Sequence, residues 1–251
     1  MRCCRRRKAA SGFASTSPRK AIHQGNAVEA TQSNTRRIQI LIGLLLALGL
    51  PFCHLGDLGK KYSGLGPLVG GDVLWWVLFA AILLYVLFVE RKSLSSLGFR
   101  RPGAADIALG FLAAVLMVIG IGMIFQFVLP ALHISLDRQM KSVIQTPLWF
   151  RLLNVTRAAV VEETAFRGYG LERIRELTGS KFLAAVATWL LFTMAHLSSW
   201  GWGQVIIASF GGLVLTLLYV WRGNLWANII AHWLTDGVAF ILIPLLAPHH
   251  S

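Results

Sequence analysis

The chain of 251 residues is 55% apolar and only 14% charged, with a formal net charge of +13. That apolar excess excludes an ordinary water-soluble domain and fits a chain that crosses a membrane several times. The basic excess is spread over a terminal tail and the flanks of apolar runs, where membrane topology accounts for it, so no nucleic-acid partner is expected.

Residues 1–37 are rich in Ser and Arg and lack apolar periodicity. They read as a disordered, basic cytoplasmic tail, although an Arg-rich, acid-poor stretch is also the composition of an organelle transit peptide. Cys3 and Cys4 lie in this tail and Cys53 near the first apolar run, a placement that suggests neither a disulfide framework nor a Cys-rich metal site. Runs of the length needed to cross a hydrocarbon core of about 30 Å occupy 38–54, 72–90, 105–130, 182–198, 203–221 and 224–247. A seventh helix is expected at 146–166. It carries Arg151, Asn154, Arg157, Glu162 and Glu163, so neighbouring helices must enclose it. The expected fold class is all-α, a polytopic transmembrane helix bundle of about seven helices, with six to eight as the range. Three regions follow: the tail 1–37, two N-terminal spans with a cytoplasmic linker over 38–104, and a catalytic core over 105–247 whose polar motifs fall within 162–236.

Short loops rich in Lys and Arg stay in the cytoplasm, and acidic residues contribute little. With the amino terminus inside, eighteen basic residues fall on the inner side and only Lys60, Lys61, Arg138 and Lys141 on the outer. The expectation is an integral, multi-pass protein of a bacterial plasma membrane with a cytoplasmic amino terminus.

Five polar residues interrupt the apolar runs: Glu162, Glu163, His196, His232 and Asp236. An ionised carboxylate at bilayer depth costs about 2.5 to 3.5 kcal/mol on insertion scales, so such groups mark an intramembrane polar site. Glu163 and Arg167 are four residues apart and share a helical face, as a buried ion pair requires. Glu162 is turned from Glu163 by about 100° and is expected to be left for chemistry. Gly179 marks the turn after this helix and lies 17 residues from Glu162 and 17 from His196. Two antiparallel helices rising from that turn would bring carboxylate and imidazole to one depth. Phe192 precedes His196 by four residues and would pack beside it, and His232 and Asp236 repeat the four-residue spacing on the last helix.

In order, Glu162-Glu163-x-x-x-Arg167, Phe192-x-x-x-His196 and His232-x-x-x-Asp236 resemble the three-motif signature of the CPBP intramembrane proteases, also called the CAAX-protease and bacteriocin-processing family. The resemblance covers about 145–240, with weaker family-like features at Leu97–Pro102 and from Phe210-Gly211-Gly212 to Tyr219. It implies an intramembrane endopeptidase that hydrolyses a peptide bond near the carboxyl terminus or leader of a membrane-associated, in some cases prenylated, protein or peptide. It also implies the roles: Glu162 as general base, His196 binding or orienting water, His232 stabilising the oxyanion, and Glu163 with Arg167 fixing the helix. Asp236 stands where the eukaryotic prenyl-protein proteases have Asn. An ionised Asp cannot donate to an oxyanion, so Asp236 is expected to orient His232 or the water, or to serve as an additional ligand.

The family has been described both as metalloproteases and as glutamate-dependent enzymes. Glu162, His196 and His232 form a set chemically suited to one divalent ion, Zn²⁺, but no His-Glu-x-x-His helix is present, and a metal-independent mechanism is favoured. Two other classes stay open: a catalytically silent membrane scaffold or immunity protein of the same fold, and a proton-coupled transporter.

Overall fold

The computed structural model describes residues 32–49, 52 and 65–246. The cysteines and most of the amino-terminal tail lie outside that range, as does the end of the first expected span. The chain divides into two units, Met1–Ile38 and Gln39–Ser251. In the first, residues 32–38 are helical.

The second unit is built from helices, with no strand among the described residues. Long runs of Leu, Val, Ala and Phe without a water-facing stripe form helices because, away from water, only the helix satisfies every backbone group within one segment. Helix α1 comprises 39–44 and Leu45–Gly49. Helix α2 is Leu65–Leu84, prolonged through Tyr85–Val89. Helix α3 is Ala104–Met123, prolonged through Ile124–Val128 and Leu129–Ala131. A short helix α4, Asp137–Ile144, follows. Helix α5 runs from Leu148–Arg157 through Ala158–Glu162 and Thr164–Leu171 to Glu172–Thr178. The remaining three are α6, Lys181–Ala195; α7, Trp202–Arg222; and α8, Leu225–Gly237 with its extension through Leu246.

Among the described residues five helices are long and apolar enough to cross a membrane: Val69–Val89, Ala104–Ala131, Lys181–Trp200, Trp202–Arg222 and Leu225–Leu246. In four of them only 22% of the most apolar window is buried within the protein, against 56% in α7. The outward faces, such as Phe111, Leu112, Val115 and Ile119 of α3, are too extensive and apolar to face water and fit a hydrocarbon surrounding.

Helix α5 is not among the five, because its charges lower its hydropathy. Instead it is enclosed: from Ala158 to Leu171 nearly every residue is buried, with α1, α2, α6 and α8 packed around it. It is also longer than the expected 146–166 span. It ends at Gly179, whose φ of 70° continues the chain in the left-handed region while its N–H caps the Arg175 carbonyl at 2.8 Å. Ser180 then accepts from the Leu183 N–H and opens α6.

One end of the bundle is tied by charge. Arg173 donates from Nε to Glu90 at 2.8 Å, and the Tyr169 hydroxyl donates to the same carboxylate at 2.8 Å. Asp106 receives Arg222 at 2.8 Å and Asn224 at 3.0 Å, joining the start of α3 to the turn between α7 and α8. The segment 91–104, expected as the cytoplasmic linker within the 38–104 region, is part of this packing. Leu97 is fully buried, and the Gly98 carbonyl accepts from the Leu225 N–H at 2.9 Å.

Candidate active site

Both glutamates lie where α5 departs from regular α-helix. Ala158–Glu162 and Thr164–Leu171 are π-helical turns, in which each residue advances by less than the roughly 100° of an α-helix. The two carboxylates nonetheless leave the helix in different directions. Glu163 is fully buried and is met by three donors: Arg167 Nη1 at 2.9 Å, His232 Nδ1 at 3.0 Å and Asn228 Nδ2 at 3.1 Å. Glu162 is partly exposed and lines a cavity of about 120 Å³.

That cavity is walled by Glu162 from α5, His196 from the end of α6, and His232 and Asp236 from α8. Glu163 and Arg167 are not in its wall; they lie behind it. A buried ion pair survives only when its remaining hydrogen-bonding capacity is met, and here Arg167 also donates from Nη2 to the Gly212 carbonyl at 2.9 Å. The Phe192 ring lies between pair and cavity. Arg167 Cζ sits 4.2 Å from its centroid, within cation–π range, while His196 stacks at 4.7 Å, tilted by 59°. Gly212 makes this possible, since a Cβ there would come 2.8 Å from Phe192 Cδ1.

The two histidines differ in their second partners. His196 Nδ1 is 2.8 Å from the Phe192 carbonyl. A carbonyl only accepts, so Nδ1 carries a proton, and in the neutral ring Nε2 then holds the lone pair. His232 has a carboxylate at each nitrogen, Glu163 at 3.0 Å from Nδ1 and Asp236 at 3.5 Å from Nε2. Two flanking acceptors match a ring carrying both protons, and the second contact is too long for a strong hydrogen bond.

Glu162 is not left unpaired. Its Oε1 accepts from Arg157 Nη1 at 3.3 Å, and Arg157 Nε donates to Asp72 of α2 at 3.1 Å. Glu162, His196 and His232, the metal set considered from the sequence, each have protein partners here. One oxygen of Glu162 faces Arg157, and each His232 nitrogen faces a carboxylate. Among the described residues no three His, Cys, Asp or Glu side chains are disposed as ligands of one metal ion.

Sequence reading did not single out Asn228, Arg157 or Asp72. Asn228 had a signal, four residues before His232 on the same face of an apolar helix. Arg157 was visible as a charge in a helix that had to be enclosed. Asp72 sits on a helix whose sequence carries no motif.

Residues 144–238 match the family model described as Type II CAAX prenyl endopeptidase Rce1-like. Over this segment, less than half of its length, the chain is similar to the CAAX-protease family. The matched segment holds Glu162, Glu163, Arg167, His196, His232 and Asp236 and closes two residues after the last of them. No curated protein and no solved structure matches the chain significantly. The match supports a hydrolase, an intramembrane endopeptidase of the kind that acts on membrane-associated proteins, and the five candidate spans among the described residues fit a multi-pass membrane protein.

Proposed function

We propose that this protein cleaves a peptide bond near the carboxyl terminus or leader of a membrane-associated protein, prenylated chains among them, using a water activated by Glu162 and no metal. The observation that carries the reading is the shared cavity, in which a carboxylate and two imidazoles from three helices meet among apolar side chains. With Oε1 held by Arg157, Glu162 has Oε2 for the water. His196 Nε2 accepts the water's other hydrogen and orients its lone pair toward the scissile carbonyl. Glu162 takes the proton as the oxygen adds to carbon. The resulting oxyanion accepts from the Nε2–H of His232, which the long contact to Asp236 leaves available. Glu162 then returns the proton to the amide nitrogen, the C–N bond breaks, and an acid and an amine leave. In this scheme Asp236 and Glu163 orient His232, and Arg167 and Asn228 hold Glu163.

The test is cleavage of membrane-tethered peptides, with and without a prenyl group, by reconstituted protein. Glu162→Gln and His196→Ala are each expected to lower kcat by a factor of about 10² to 10⁴, the usual worth of a positioned general base, and exhaustive chelation is expected to leave the wild type active. Proteolysis that survives both substitutions refutes the assignment. Activity lost on chelation and restored by Zn²⁺ refutes its metal-free form.

A further inference from the structure

The general base is tied, through one arginine, to a helix outside the matched segment. Arg157 stands between two carboxylates, Glu162 of its own helix and Asp72 of α2, at 3.3 and 3.1 Å. Its guanidinium carbon also lies 5.5 Å from the ring centroid of Trp75, one turn along α2. The side chains of Asp72 and Arg157 are only 2% and 12% exposed, so the contact is shielded from competing water. Arg157 lines the cavity and Asp72 does not. Residues 144–238 include Glu162 and Arg157 but leave out Asp72 and Trp75.

We infer that Asp72 is a positioning residue for the general base, acting through Arg157, so that α2 completes the active site of the Rce1-like domain. The inference rests on the reading of Glu162 as base. A guanidinium is a planar fork that pairs a carboxylate through both oxygens when nothing else holds it. Asp72 takes Nε and Trp75 lies beside the guanidinium, and the contact that reaches Glu162 is a single one, from Nη1 to Oε1. One oxygen of the base is thereby anchored and the other kept for water. One positive charge shared between two carboxylates also leaves Glu162 less fully neutralised than an exclusive pair would.

Asp72→Asn keeps the acceptor for Arg157 Nε and removes only the charge. It is expected to lower kcat about tenfold to a hundredfold with KM unchanged, the cost of a misplaced reacting group, whereas Asp72→Glu retains most of the turnover. Arg157→Ala is expected to lose turnover similarly and to regain it when guanidinium is added at non-denaturing concentration. Glu162→Gln is expected to be inactive with or without guanidinium. If Asp72→Asn turns over like the wild type while Glu162→Gln is inactive, the positioning role is overturned and the base assignment stands. If Glu162→Gln is active, the base assignment itself is overturned. Loss of kcat in step with a lowered unfolding temperature, unrelieved by guanidinium or by Asp72→Glu, reduces the cluster to a structural tie and also overturns the inference.

Discussion

Glu163 shows how much one buried carboxylate can hold. It has no exposure to solvent or lipid, and its three donors come from its own helix and from α8. Removing its charge would strand the Arg167 guanidinium in an apolar interior, which costs about 3 to 5 kcal/mol when one partner of a buried pair is lost. Glu163→Gln is therefore expected to lower the unfolding midpoint in detergent sharply. The adjacent Glu162→Gln, at the cavity wall, is expected to abolish cleavage with a much smaller change in that midpoint. Comparing the two by denaturant titration separates support from chemistry in neighbouring residues. The distinction was only half legible in the sequence. The four-residue spacing pairs Glu163 with Arg167, but no spacing links Glu162 to Asp72, 90 positions earlier in the chain.

Among the elements, α5 and its turn into α6 set the depth of the site. Gly179 terminates the helix at a positive φ, and a Cβ there would meet nothing within 4 Å. The cost of Gly179→Ala is therefore confined to the backbone, about 1 kcal/mol for a left-handed L-residue. Stability should fall by that amount, with kcat per folded molecule unchanged, as thermal unfolding and active-fraction-corrected assays would show. A larger loss would mean that the turn makes contacts of its own. The glycine, with Thr178, Ser180 and Lys181 beside it, made this turn legible. The π-helical turns through Ala158–Glu162 and Thr164–Leu171 were not, because side-chain periodicity carries no mark of an i to i+5 hydrogen bond.

For the whole molecule, we propose from the positive-inside pattern that the Glu90–Arg173 and Asp106–Arg222 ties face the cytoplasm, with the α6–α7 turn at Gly201 opposite. A cysteine introduced at Ser180 should then react with a membrane-impermeant thiol reagent only from the cytoplasmic face, and one at His133 only from the other. The reverse labelling pattern would invert the topology and put the reading of the basic loops in error. Sequence alone determined the class of the fold, the approximate spans and the polar residues they carry, because hydropathy and four-residue spacing are local properties that survive in one dimension. Tertiary structure decided which of those residues share a cavity, that Glu163 lies behind it rather than in it, that Arg157 occupies one oxygen of Glu162, and that the 91–104 segment packs into the bundle. These depend on contacts between helices remote in the chain, and a pairing such as Asp72 with Arg157 arises only once the helices have packed.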